Sequence, residues 1–163
     1  MSHNIKNHLS CLSKYGNGWR KELNIVQWND NQPKYDIRDW SPDHEKMSGG
    51  ITLTESEIDM LASSFDEWFK GGHTTLETPD TFDESTVRYD IYAYLARCAN
   101  NEKLSGWTLE LNIVAWNEGA LKADIRRWAP DHARMSRGVA LTITEAVALC
   151  NSFREWKAKG VAA

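Results

Sequence analysis

The sequence predicts an α+β protein: two copies of a four-stranded antiparallel sheet followed by one helix, packed as a pseudo-dimer within one chain. Three observations predict it. First, the stretch Lys34 to Gly50, KYDIRDWSPDHEKMSGG, recurs at Lys122 to Gly138 as KADIRRWAPDHARMSRG, at a constant offset of 88 (126 − 38). An internal repeat at fixed spacing marks a duplicated structural unit. Second, the segments before and within each copy alternate apolar and polar residues, the period of a half-buried strand. Third, each copy ends in a capped apolar stripe at helical spacing.

The repeat extends outward from that stretch. GWRKELNIVQWN at Gly18 to Asn29 echoes GWTLELNIVAWN at Gly106 to Asn117, and SFDEW at Ser64 to Trp68 echoes SFREW at Ser152 to Trp156. The division that follows is a first unit at 1–72, a linker at 73–85 and a second unit at 86–163. Units this small bury little surface alone and call for a partner surface.

Each element has its own signal. Ile5 to Lys14 and Tyr89 to Arg97 read as first strands, although the YAYLARC run also suits a helical turn or two. In the second strand Leu23 and Ile25 share one face, as do Leu109, Leu111 and Ile113. The opposite face carries Arg20, Glu22, Asn24, Val26 and Trp28, and in the second copy Thr108, Glu110, Asn112, Val114 and Trp116. The third strand points Tyr35 and Ile37, or Ile125, to the core, and sends Lys34, Asp36, Arg38 and Trp40, or Lys122, Asp124, Arg126 and Trp128, outward. Pro42 and Pro130 stop it. Ile51 and Leu53, or Val139 and Leu141, start a fourth strand.

Thr54-x-x-Glu57 and Thr142-x-x-Glu145 are capping boxes. The helices that follow place Ile58, Leu61, Phe65 and Trp68, or Ala146, Leu149, Phe153 and Trp156, on one stripe over the apolar sheet face, and end at Gly71-Gly72 and Gly160. Gly, Thr, Pro and acidic residues make 73–85 a polar connection, long enough extended to cross a small domain.

Composition narrows the function. The hydrophobic content of 41% with eight tryptophans suits a globular chain. No apolar run approaches membrane-spanning length, and the first thirty residues lack a signal-peptide pattern. Cys11, Cys98 and Cys150 lack ligand spacing and read as reduced thiols of a cytoplasmic protein, nucleoid-associated if bacterial. Net charge is −4, which disfavours a generic nucleic-acid binder. The charge is uneven, with six basic against eleven acidic residues from Gly18 to Lys70 and seven against six from Gly106 to Ala158.

The strongest functional signal is the outward set of aromatic and basic residues, Trp28, Lys34, Arg38 and Trp40, repeated as Trp116, Lys122, Arg126 and Trp128. Aromatic faces stack on unpaired bases and cations track phosphates. The alternative is that these tryptophans are buried between the copies. Trp19, Trp68, Trp107 and Trp156 are assigned to core or interface. Arg38 and Arg126, read as outward, are expected to be replaceable by alanine without loss of stability. Asp43-His44 and Asp131-His132 read as polar turns after proline, not as metal or acid–base sites. No nucleophile elbow, phosphate loop or catalytic triad is present in the sequence, and no cofactor or metal is called for.

GWRKELN, DIRDW and DIRRW, and SPDHEKMSGGITL before a capped helix, in that order, resemble the transcriptional coactivator family of positive cofactor four, and most closely its short bacterial members of the YdbC type. The resemblance implies four antiparallel strands and a helix, pairing of two units, and a sheet surface for single-stranded DNA. It implies DNA-facing roles for Trp28, Trp116, Arg38 and Arg126, matches Trp40 and Trp128 to aromatics just after the DIR motif, and places Lys46 and Arg134 near a basic turn before the last strand. Arg20 belongs to this set in the first copy; Arg20-Lys21 become Thr108-Leu109 in the second. The expectation is a non-enzymatic binder of single-stranded DNA or RNA with little sequence preference. It would act in transcription, replication, recombination or repair, alone or with proteins of those processes, as an intramolecular pseudo-dimer or a higher oligomer. The alternative is a protein-interaction module that keeps the fold without nucleic-acid binding, which the net acidity favours.

Overall fold

The computed structural model describes residues 2–71, 80–84, 87–101, 106–117 and 119–160. Strands β1 (His3–Lys14), β2 (Arg20–Trp28), β3 (Lys34–Trp40) and β4 (Ile51–Leu53) form one antiparallel sheet in sequential order, and helix α1 (Glu55–Lys70) follows. Strands β5 (Asp80–Glu84), β6 (Val87–Asn101), β7 (Trp107–Trp116), β8 (Leu121–Trp128) and β9 (Val139–Thr142) form a second sheet, followed by α2 (Ile143–Ala158).

The second sheet corrects the expectation of four strands in each. Its extra strand, β5, comes from the stretch read as linker and pairs antiparallel with β6, Phe82 opposite Tyr89. The Thr-Phe pair in DTFDE has strand propensity, and hairpin pairing with β6 outweighs the acidic flanks. The remainder of that linker, 73–79 and 85, and Gly72 at the expected helix end lie outside the described residues.

The first strands alternate poorly for a visible reason. β1 shifts register against β2 between Ile5/Asn7, His8/Ser10 and Cys11/Ser13. β6 shifts against β7 between Ile91/Ala93, Tyr94/Ala96 and Arg97/Ala99. Each irregularity inserts a residue, bends the strand and resets which side chains face inward. Both sheets repeat the same three, so strong curvature is common to them.

Both capping boxes form: Thr54 and Thr142 accept from the backbone N–H of Glu57 and Glu145, whose carboxylates accept in return from the cap N–H. Each satisfies two orphan donors of the first turn. Gly50 and Gly138 are fixed by contact. A Cβ on either would collide with the carbonyl of Ile37 or Ile125 and with the side chain of Arg38 or Arg126. Only glycine lets the chain run that close to β3 and β8.

Apolar residues of both sheets and both helices share one core. Leu23, Ile25, Ile37, Leu61 and Phe65 belong to the same buried cluster as Leu111, Ile125, Leu149, Cys150 and Phe153. The helices do not simply cover their own sheets: α1 packs along β6, α2 along β1, and the two touch each other.

Candidate nucleic-acid interface

The face of each sheet opposite the core is built from charges that the fold has already paired. On the first sheet the register sets Glu22 beside Arg38 and Asn24 beside Asp36. Glu22, Asn24 and Asp36 are all fully buried, as are Asn112 and Asp124 on the second sheet, with Glu110 nearly so. Buried charges persist only where partners satisfy them.

Asp36 and Asp124 hold the two DIR arginines. Arg38 Nε and Nη2 donate to Asp36 Oδ1 and Oδ2 at 2.7 and 2.9 Å, and Nη1 donates to Ser48 O at 3.2 Å. Arg126 repeats this with Asp124 at 2.6 and 2.8 Å and Ser136 O at 3.2 Å. Their side chains are only 12% and 13% exposed. The arginines are therefore held on a buried carboxylate rather than freely outward, and alanine in their place is expected to cost stability, against the reading from the sequence. Burial pushes the Asp124 carboxyl up, against the lowering by Arg126 and by the Trp116 indole.

Each guanidinium also lies on a tryptophan. Arg38 Cζ is 4.6 Å from the ring centroid of Trp28, and Arg126 Cζ is 4.7 Å from that of Trp116. Such cation–π contacts fix the plane of the ring. Trp28 and Trp116 are half-buried, and Trp28 lines an open cleft of about 380 Å³ with Asn29, Asn31, Arg38, Met47 and Thr52. The fastening of this carboxylate differs between the two sheets. Thr52 donates to Asp36 Oδ2 at 3.1 Å in the first. Ala140 stands at that place in the second, and the Trp116 indole N–H donates to Asp124 Oδ2 at 3.1 Å instead.

Trp40 and Trp128 correct the expectation most sharply. Both are 0% exposed. Residues Trp40 and Met47, like Trp128 and Met135, form a bridge that closes the following turn over the ring. His3 and His44 pack on Trp40 at 5.1 and 5.7 Å, and His132 on Trp128 at 5.4 Å. Alternation places these side chains on the outer face, but the turn after proline folds back and covers them. They are a second small core and present no stacking surface.

The Asp-His turns explain that cover. Asp43 Oδ1 accepts from the Ser41 hydroxyl and the Glu45 N–H, and Asp131 Oδ1 from the Ala133 N–H. His44 and His132 sit at positive φ, +61° and +58°, a conformation costly for a side-chain-bearing residue unless fixed by its neighbours. The fixing contacts are Glu22 and Glu110: His44 Nε2 lies 2.9 and 3.0 Å from the Glu22 oxygens, and His132 Nε2 the same from Glu110. Among the described residues no group of three His, Cys, Asp or Glu could hold a metal ion.

Burial pushes Glu22 and Glu110 up, but hydrogen bonds from Asn24 and His44, and from Thr108, His132 and Asn112, reverse this and leave both carboxyls below their ordinary value of 4.5. A depressed folded value means stability that is full above the unfolded value and lost as pH falls through the folded one. The melting temperature is thus expected to drop below about pH 4.5, and Glu22→Gln with Glu110→Gln to flatten that drop. A melting curve series from pH 7 to pH 3 checks both, and an unchanged slope in the variant would rule these carboxylates out.

The remaining basic residues divide by their partners. Arg20 pairs with Glu22 at 3.1 Å. Lys34, Lys46 and Arg134 are exposed and Lys122 is half-buried, and among the described residues none of the four has an ion pair. Arg134 Cζ lies 5.6 Å from the ring of Trp107. Trp107, read from the sequence as core or interface, is half-buried beneath that cation.

Residues 16–64 match the model of the family described as Transcriptional Coactivator p15 (PC4). That span holds β2, β3, β4 and the first part of α1. The chain is also similar to an uncharacterized protein of Treponema pallidum (strain Nichols), 50% identical over 54 residues, which cover 33% of this chain and 64% of that relative, just under two thirds of its length.

Proposed function

We propose that this chain binds single-stranded DNA or RNA with little sequence preference and performs no catalysis. In this reading Gly106 to Ala158 is a second copy of the family domain matched at 16–64, making the chain a tandem version of the short bacterial type. The two copies pair within one chain as a pseudo-dimer and supply the two halves of one surface. Its setting would be a cytoplasmic one, in transcription, replication, recombination or repair.

The observation that carries the reading is the doubled Arg–Trp stack, Arg38 on Trp28 and Arg126 on Trp116. A ring held by a cation on one side is a preorganised platform for an unpaired base. Lys34, Lys46, Lys122 and Arg134 then track phosphates, while Arg38 and Arg126 chiefly orient the rings. The buried acidic residues Glu22, Asp36 and Asp124 of the sheet face are held in internal pairs with Arg20, Arg38 and Arg126, so the local surface offered to phosphates is set by the exposed lysines and Arg134, not by the net charge of −4.

A fluorescence titration with labelled oligo-dT and with duplex of equal length, at two salt concentrations, tests it. Oligo-dT is expected to bind more tightly, since stacked bases offer no free face. Neutralising about four phosphates gives a log–log salt slope of about −3. Lys46→Ala with Arg134→Ala is expected to reduce its magnitude by roughly 1.4. Equal affinity for duplex and single strand would sink the stacking mechanism and leave the protein-interaction reading.

A further inference from the structure

Residues that hold the same place in the two repeats meet each other at three points. A Cβ on Gly49 would stand 2.6 Å from Arg137 Cδ and 3.0 Å from its Nη1. Cys150 Sγ lies 3.9 Å from Ala62 O. Arg154 is ion-paired with Asp66. Each pair is separated by the repeat offset: 137 − 49, 150 − 62 and 154 − 66 are all 88. In a two-fold interface a residue meets its own equivalent only beside the axis. These three contacts therefore trace the axis of the paired arrangement proposed above, on which this inference rests.

At all three points the facing residues are unlike. We infer that the seam along α1, α2 and the turns before β4 and β9 accepts an unlike unit and rejects a like one. Two first units would set Asp66 against Asp66 and leave a gap between two Gly49 residues where Arg137 now lies. Two second units would set Arg154 against Arg154 and Arg137 against Arg137, and would crowd two Cys150 thiols where one now meets Ala62.

Contacts away from the axis follow the same rule. Tyr35 packs edge-on against Phe153 at 5.4 Å, and the repeat-related positions are Ala123 and Phe65, so two second units would lack both tyrosine rings, while two first units would keep them and are rejected at Asp66 and Gly49 instead. Lys157 pairs with Glu55 at 3.1 Å and Lys21 with Glu145 at 3.7 Å. The related positions are Phe69 with Ile143, and Leu109 with Glu57, which carry no opposite charges. Each favourable contact is present once, in one direction. Specificity of this kind is a difference between the right pairing and penalised wrong ones. Partly exposed ion pairs contribute little singly, so shape at Gly49 and at Tyr35 supplies more of the difference than charge.

Exchange across the axis tests this in the full chain. Swapping two residues that face each other leaves the same side chains in contact, whereas changing one creates a like pair. Gly49→Arg is expected to lower the melting temperature by several degrees, at about 2–4 °C per kcal/mol for a chain of this size, and adding Arg137→Gly to restore most of it. Asp66→Arg and Arg154→Asp should each lower it, with a loss that shrinks in high salt, and the double exchange should recover. Doubles no more stable than the sum of their singles would overturn the inference while leaving the pairing intact. Singles without effect, together with a light-scattering mass well above 18.6 kDa, would overturn the intramolecular pairing itself.

Discussion

Arg38→Ala is expected to lower stability by about 3–5 kcal/mol, the usual cost of removing one partner from a buried ion pair. At about 2–4 °C per kcal/mol, that is a fall in melting temperature of roughly 6–20 °C. The loss comes less from the arginine than from what it leaves behind. Asp36 is fully buried and among the described residues would keep only the Thr52 hydroxyl as a side-chain donor. Ser48 O would lose its donor, and the turn that covers Trp40 would lose a fastening to β3. Arg126→Ala should do the same, with Trp116 as the remaining donor to Asp124. The decisive comparison is Asp36→Ala with Arg38→Ala. Removing both partners leaves no orphan charge, so the double variant should be more stable than Arg38→Ala alone. Urea titrations of the three chains measure this, and a single variant as stable as the parent would show that the pair is solvated and the arginine free for ligand.

The same arginines show where the sequence was legible. The repeat, the inward apolar residues of β2, β3, β7 and β8, and both capping boxes follow from local rules, because period and cap chemistry depend on near neighbours. Alternation also placed Arg38 and Trp40 on the outer face correctly. It could not show that this face is itself covered. That cover depends on His44 adopting positive φ and reaching Glu22, 22 residues earlier in the chain, a contact with no local signature. β1 and β6 carry little alternation in the sequence because three bulges erase the two-residue period. β5 was missed because its pairing with β6 outweighs an acidic, threonine-rich composition.

Trp28→Ala with Trp116→Ala is expected to weaken oligo-dT binding by about 30-fold or more. Base–aromatic stacking contributes about 1–3 kcal/mol per base, and two lost platforms remove at least about 2 kcal/mol, with about 1.4 kcal/mol to each factor of ten. The salt slope should barely change, because no phosphate contact is removed. Phenylalanine separates stacking from folding. The Trp28 indole nitrogen makes no hydrogen bond among the described residues, so Trp28→Phe keeps a ring under Arg38 and should bind nearly as the parent does. Trp116→Phe deletes the donor to Asp124 and should cost stability while retaining most of its affinity per folded molecule. Binding is therefore measured by titration at a temperature where melting curves show every variant folded. A folded Trp28→Ala/Trp116→Ala chain that binds oligo-dT as tightly as the parent would mean that the Arg–Trp stacks are structural and the nucleic acid, if bound, lies elsewhere.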